Sequence, residues 1–252
     1  MYSVIKQLYR KFIPNQIHYR IEPFLRIFIY FLFYRGDNVT CPICLSSAKK
    51  YITIAFKESE DKICAKCGSL SRSRALCIYI EGNFQNKDLK ILDFSPHRSL
   101  YDYFKSKFIY YISSDYGNQF YAQKNHDITQ IQEENESFDL IICFHVLEHI
   151  LEDKKAIKEL YRVLKVNGIL LIQVPLKDGL TYEDSKITSK NARKEAFGQE
   201  DHVRVYGKKS LIKKLKHFQF KVETINTSKT LKVIEKNNFG ILENEIIFKC
   251  VK

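Results

Sequence analysis

The chain has 252 residues, 45 % of them hydrophobic, and carries 41 Lys and Arg against 29 Asp and Glu, a formal charge of +12. That length allows one large domain, or a domain of about 200 residues with a small added module. Seven cysteines without a cleavable signal peptide exclude a disulfide framework and point to the cytoplasm, and the cations, mostly Lys scattered among Ile and Asn, read as compositional bias rather than a built nucleic-acid patch.

Residues 1–36 are basic and aromatic, ending in Phe24-Leu25-Arg26-Ile27-Phe28-Ile29-Tyr30-Phe31-Leu32-Phe33-Tyr34. Arg26 interrupts the run, which is too short for the roughly 18 to 20 apolar residues of a spanning helix. Two readings stand for this amphipathic helical segment. It packs on its own domain or a second subunit, or it lies peripherally on the inner face of a membrane, with Lys6, Arg10, Lys11, Arg20, Arg26 and Arg35 toward anionic headgroups.

A module over 37–70 holds Cys41-Pro42-Ile43-Cys44 and, after 19 intervening residues, Cys64-Ala65-Lys66-Cys67-Gly68. Two such knuckles can set Cys41, Cys44, Cys64 and Cys67 tetrahedrally around one Zn²⁺, although iron shares the spacing. Four thiolates leave no open coordination position, so the site reads as structural, and Tyr51-Ile52-Thr53-Ile54-Ala55-Phe56 as a ribbon strand between the knuckles. Cys77, Cys143 and Cys250 sit in apolar surroundings and read as small core residues.

A helix over 69–80 leads from this module into the third region, 71–252, which then alternates strands with helices. Strands are expected at 90–94, 108–113, a short third piece closing on His126-Asp127-Ile128, and 138–144. Asp153 is expected to cap a helix that ends before Gly168, followed by a fifth strand at 169–174, a helix at 208–217 and strands at 218–225 and 245–251. Repeated units of this kind imply a mostly parallel, doubly wound sheet.

The run Phe138-Asp139-Leu140-Ile141-Ile142-Cys143-Phe144 suits a strand covered on both faces, and His145-Val146-Leu147-Glu148-His149 then delivers polar groups at its carboxyl end. In an open α/β sheet that end borders the ligand crevice, although a His- and Glu-rich helix start is equally often a solvated first turn. Acids close the earlier strands: Asp93, Asp115 about 20 residues later, where a ribose-binding carboxylate belongs, and Asp127. Each alone reads as a turn residue; together they point to a nucleotide.

Ile91-Leu92-Asp93, Ser114-Asp115, His126-Asp127-Ile128, Phe138 to Ile142, Val146-Leu147-Glu148-His149 and Glu159-Leu160-Tyr161-Arg162-Val163-Leu164-Lys165-Val166-Asn167-Gly168 resemble the class I S-adenosylmethionine (SAM) dependent methyltransferases, type 11 group. The likeness covers about residues 90–252. With the paired knuckles, Glu183-Asp184 and Phe197-Gly198-Gln199-Glu200-Asp201-His202-Val203-Arg204-Val205-Tyr206-Gly207, it extends to a bacterial subgroup that carries a zinc ribbon. The resemblance implies a Rossmann-like fold with a seven-stranded, mostly parallel sheet whose last strand is antiparallel. It also implies SAM held by Asp93, Ser95, Pro96, His97, Asp115, Tyr116, Asp127, Ile128, Phe144, His145 and Val146. One departure is plain: the first loop, Asp93-Phe94-Ser95-Pro96-His97-Arg98-Ser99, contains no glycine where the family is glycine-rich.

The enzyme so implied passes a methyl group to a small molecule, sugar or surface-glycan-type acceptor. His202, in the polar segment after strand five, is the first candidate for acceptor-side chemistry, with His145, Glu148 and His149 beside it. The bland reading of His202 is a loop histidine holding Glu200 or Glu183, and Arg204 and Tyr206 either clamp an anionic acceptor or anchor the lid. Two other functions compete. An RNA methyltransferase agrees with the basic charge, but the ribbon lacks the aromatic-basic alternation that stacks bases. A non-catalytic zinc-ribbon scaffold would use the same fold for protein contacts.

Overall fold

The computed structural model describes residues 15–55, 60–117 and 120–252, with side chains from residue 21 onward. Lys6, Arg10, Lys11, Phe56 and the side chain of Arg20 lie outside the described residues. The chain divides into two compact units, 1–80 with 228–245, and 81–227 with 246–252.

In the first unit, helix α1 (Asn15–Ile29) runs into a single π-helical turn, Tyr30–Tyr34. Two antiparallel hairpins follow: β1 (Arg35–Thr40) with β2 (Ser47–Ala48), and β3 (Ile52–Ala55) with β4 (Glu60–Ile63). Tyr30, Ala48, Ile52, Ile63 and Ala65 form their shared core, and the Tyr30 hydroxyl donates to Ser47 O at 2.6 Å. The end of the aromatic segment thus packs on its own unit, while Phe24, Phe28, Phe31, Leu32 and Phe33 stay exposed. Arg26 departs from the membrane-facing expectation. It is buried, and its Nε and Nη2 reach Glu22 at 2.9 and 2.8 Å, a helical i,i+4 pair within the segment itself. No described helix is long and apolar enough to cross a membrane.

Helix α2 (Ser71–Asn83) carries Arg74, whose guanidinium is fully buried. It donates to the carbonyls of Lys62, Ser69, Phe239 and Gly240 at 2.5–2.8 Å and lies 4.2 Å over the Tyr51 ring. A planar fork with five donors can cross-link separate backbone segments in this way, and it ties 228–245 to the first unit.

The second unit is built on β5 (Lys90–Phe94), helix α3 (Arg98–Lys107), β6 (Tyr110–Ser114), β7 (Phe138–Phe144), helix α4 (Asp153–Val163) and β8 (Leu164–Gln173). Short strands β9 (Leu176–Lys177) and β10 (Tyr182–Glu183), helix α5 (Lys190–Phe197) and β11 (Arg204–Gly207) come next, then helix α6 (Lys208–His217) and β12 (Lys221–Asn226). The chain then passes through helices α7 (Thr227–Thr230) and α8 (Val233–Phe239), which fall almost wholly in the first unit's 228–245 segment, before β13 (Ile246–Val251) completes the second unit.

The main sheet has the order β12-β13-β8-β7-β5-β6, with β5 to β8 parallel and β13 antiparallel to both neighbours. Its central strands are buried on both faces, as their continuous apolar runs require: Ile91, Leu92, Leu140, Ile141, Leu170 and Leu171 have no exposed surface. Cys77, Cys143 and Cys250 are equally buried.

Among the described residues this sheet has six strands, not seven. The piece expected around 126–128 makes only isolated bridges, Ser114 with Lys124 and Asp127 with Gln130, because Asp127 turns the chain by accepting from Thr129 N and Oγ1 at 2.8 and 2.7 Å. Asp153 does not cap α4 with its side chain. Glu152 occupies the cap position, and the Asp153 carboxylate is taken by Tyr206 and Lys214. The turn expected to use Gly168 instead puts Asn167 in the left-handed region at φ 64°, while a Cβ on Gly168 would meet Lys165 O at 2.8 Å.

Candidate functional site

Both cysteine knuckles adopt one local geometry. Cys41 N donates to Ser46 O and Leu45 N to Cys41 O; Cys64 N donates to Ser69 O and Gly68 N to Cys64 O. The four sulfurs converge within 4.8 Å of one another, with Cys41–Cys67 and Cys44–Cys64 separations of 3.8 and 3.7 Å. Sulfurs at the corners of a tetrahedron with 2.3 Å Zn–S bonds stand about 3.8 Å apart. The cluster therefore has the geometry of a closed four-cysteine metal site. Its thiols compete for protons, with hydrogen bonds from neighbouring thiols drawing Cys41 far below the ordinary thiol range and pushing Cys64 and Cys67 above it. A divalent cation would remove that competition by binding all four as thiolates.

The knuckle symmetry exposes a local cost. The residue after the second cysteine is left-handed in both, at φ 54° for Leu45 and 76° for Gly68. Glycine adopts this freely, whereas Leu45 is strained and, at 77 % exposure, gains little by packing. Leu45→Gly is expected to stabilise the first unit by about 0.5–1 kcal/mol, after the extra freedom of an unfolded glycine is subtracted. A lower urea midpoint in the variant would contradict the strain.

At the other site, the registers align the carboxyl ends of the parallel strands. Phe94 lies opposite Ser114 and Cys143, and Phe144 opposite Gln173. Ser95, Asp115 and His145 consequently leave the sheet along one edge. Ser95 and His145 are both left-handed, at φ 51° and 55°, and turn the chain sharply out of β5 and β7. Ser95 N donates to Ser114 O and His145 N to Gln173 O, each at 2.8 Å. The glycine-free first loop thus still makes the turn that glycine usually makes, with Ser95 bearing the strain, a situation common where backbone is shaped for a ligand.

Asp115 is held firmly. Oδ1 accepts from Ser95 Oγ at 2.7 Å and Oδ2 from Phe120 N at 3.0 Å, so both carboxylate oxygens are fixed in position. Tyr116 beside it is 68 % exposed. His97 caps α3, accepting from Ser99 N at 3.3 Å, and Pro96 is buried before it. Phe144 and His145 are half-buried, Val146 and Ile128 buried, and Asp127 sits in its own turn. Asp93 is only 2 % exposed and receives the Tyr111 hydroxyl at 2.8 Å.

Beyond β8, strands β10-β11-β9 form a separate small sheet. Arg204 in β11 spends its donors on the carbonyls of Leu147, Ile150 and Leu151 and on Glu183 Oε2 at 2.8 Å. Tyr206 donates to Asp153 Oδ2 at 2.6 Å. Of the two readings for these residues, the geometry is that of an anchor: a guanidinium engaged on backbone carbonyls has little left for an anionic acceptor. The adjoining cavity of about 780 Å³ is lined by Asp153, Glu183, Arg193, Arg204 and Lys214 and includes none of the sheet-edge residues.

The 147–149 stretch is a short 3-10 turn, with Glu148 fully buried. His145 Nδ1 approaches Glu148 Oε1 at 3.1 Å, and His149 Nδ1 approaches Asp201 Oδ2 at 3.3 Å. The His149 and His202 rings meet edge to face at 4.7 Å. His202 is 3 % exposed, and its Nδ1 faces Phe197 O at 3.1 Å. Burial lowers its affinity for a proton, partly opposed by the Glu148 charge, so it is a neutral imidazole near neutral pH. Neither Glu183, paired with Arg204, nor Glu200, 3.9 Å from Lys190, is its partner.

A family described as "Methyltransferase domain" matches residues 66–225 of this sequence. The chain belongs to that methyltransferase family. The YcgJ protein from Bacillus subtilis is a similar solved structure, 15 % identical over 71 % of this chain and 97 % of its own, with a TM-score of 0.50. A SAM-dependent methyltransferase from Archaeoglobus fulgidus is likewise 15 % identical, over 73 % of this chain and 95 % of its own, with a TM-score of 0.50. No curated protein matches the sequence. Likeness at this level shows a shared fold, and the family match makes the chain a methyltransferase.

Two features of this candidate site were not legible in the sequence. Ser95 and Asp115 were both candidates, but the bond between them depends on the strand register. The pairing of Asp93 with Tyr111 has no local motif. Burial raises the Asp93 carboxyl from 3.8 to about 7. Between those values the folded protein keeps a proton that the unfolded chain has lost, so stability falls as pH rises through that interval and levels off above it. Asp93→Asn still accepts from Tyr111 and cannot ionise. Its stability relative to the parent should rise by on the order of 2 kcal/mol from pH 5 to pH 8. An equal change at both pH values in thermal melts would refute the raised carboxyl.

Proposed function

We propose that this methyltransferase transfers the methyl group of SAM to a small-molecule, sugar or surface-glycan-type acceptor, and that its four-cysteine cluster holds a structural Zn²⁺. The observation that carries the reading is the alignment of Ser95, Asp115 and His145 along one sheet edge, with Asp115 fixed by Ser95 Oγ and Phe120 N. Asp115 would receive the ribose hydroxyls, and Tyr116 offers an exposed ring beside it. The Ser95 to His97 turn would carry the methionine portion, while Asp127, Ile128, Phe144 and Val146 would line the rest. Asp93 would act from behind, through Tyr111.

When bound, SAM supplies a methyl group on a positively charged sulfur, ready for in-line displacement. The chain then has to orient an acceptor lone pair and exclude water. His145, Glu148 and His202 form the acceptor side, with the unprotonated His202 nitrogen available to draw a proton where the acceptor must lose one. The burial of Glu148 and His202 suits a small, enclosed acceptor better than a folded RNA. The type 11 and zinc-ribbon grouping is consistent with the two hairpins that frame the cysteines.

The test is a transfer reaction with methyl-labelled SAM and a cell extract split into small-molecule, glycan and RNA fractions. Label is expected in the small-molecule or glycan fraction. Label confined to RNA would overturn the acceptor class, and absence of both transfer and SAM binding by calorimetry would favour a scaffold.

A further inference from the structure

Glu148 presents a problem that nothing in the transfer reading resolves. Its side chain is 1 % exposed, and neither carboxylate oxygen receives a hydrogen bond from any described residue. The His145 contact at 3.1 Å has the distance of an ion pair without hydrogen-bond geometry. A buried carboxylate without donors is among the costlier arrangements in a protein, whereas Asp93, the comparable acid, has Tyr111.

Two imidazoles converge on this carboxylate. Ligand atoms of Glu148, His149 and His202 all lie within 4.8 Å of one another. In both histidines Nδ1 faces an acceptor, Asp201 Oδ2 for His149 and Phe197 O for His202. A ring that donates from Nδ1 carries its lone pair on Nε2, and orientation of this kind by a carboxylate or carbonyl accompanies nearly every metal-bound histidine. The sequence separation is also informative. Glu148 and His149 come from the turn after β7, and His202 from the segment before β11, which is joined to that turn by Val203 N donating to Glu148 O at 2.9 Å.

We infer that Glu148, His149 and His202 bind a divalent first-row transition-metal ion, at a second site separate from the four cysteines. Two nitrogens and one carboxylate suit Mn²⁺, Fe²⁺, Co²⁺ or Zn²⁺ and are a poor set for Mg²⁺ or Ca²⁺. Three protein ligands leave positions for water or an acceptor oxygen. The ion's use in transfer rests on the methyltransferase reading, and there it makes His202 a ligand rather than a base. Metal binding itself does not rest on that reading.

The test therefore reads metal uptake alone. The full chain, its cysteine site filled with Zn²⁺, is dialysed in turn against Mn²⁺, Co²⁺ and Zn²⁺, and bound metal is counted by mass spectrometry. At least one of these ions is expected to add one equivalent per chain. Glu148→Gln and His202→Gln should weaken uptake at least about 10-fold. Since both residues are buried, His149→Gln, at a side chain 30 % exposed, supplies a variant whose fold is less at risk and should show the same loss. No added equivalent of any of the three ions would overturn the site. So would an added equivalent retained at undiminished affinity in His149→Gln.

Discussion

Loss of the first unit's cooperative fold is the expected result of replacing Cys41 and Cys64 with serine, or of exhaustive chelation. The described elements around the cluster are short: β2 has two residues, and β3 and β4 have four each. Hairpins of that size are marginal without further support. Their core, centred on Tyr30, Ala48, Ile52, Ile63 and Ala65, is small, and four sulfurs converge beside it. Structural zinc in small modules contributes on the order of 10 kcal/mol at neutral pH, comparable to the whole stability of a domain. Protease cleavage within 37–70 and loss of protection at Cys77, fully buried in the intact protein, would report the change. A double variant that melts with the parent and resists protease equally would show that the cluster holds no structural ion.

The second large effect is expected at Asp115. Removing its carboxylate with Asp115→Ala should weaken SAM binding by about 100- to 10,000-fold, since hydrogen bonds to a charged group contribute about 1.5–3 kcal/mol each and a ribose diol offers two. Ser95→Ala removes only the 2.7 Å bond that orients the carboxylate and should cost about 10-fold. The order of the two variants, more than either value, distinguishes direct contact from positioning. Calorimetry with SAM and its demethylated product measures both, and an unchanged Kd in Asp115→Ala would remove the ribose assignment.

Much of the second unit could be read from the chain because its elements carry strong local signals. The continuous apolar runs at Ile91-Leu92 and Leu140-Ile141-Ile142-Cys143 can satisfy burial only between two covered faces. The periodic Ile157 and Leu160 place α4 on that sheet. The knuckles were legible for a related reason: sulfur chemistry ties four positions to one point whatever lies between them. Where other hydrogen bonds compete with the expected one, the structure differs: Asp127 turns the chain with nearby Thr129 instead of ending a strand, and Asp153 gives its carboxylate to distant Tyr206 instead of a helix cap.

The strand-and-helix alternation, the four-sulfur cluster and the identity of the residues at the strand ends each follow from the side chains of short segments. Which of those residues meet depends on how the segments pack. Parallel register brings Ser95 to Asp115 across 20 residues, and β11 brings His202 to Glu148 and His149. The same packing denies Glu148 a hydrogen-bond donor and turns Arg204 into an anchor. Burial and mutual distance are properties of the assembled sheet, and a carboxylate or imidazole has no defined chemistry until they are set.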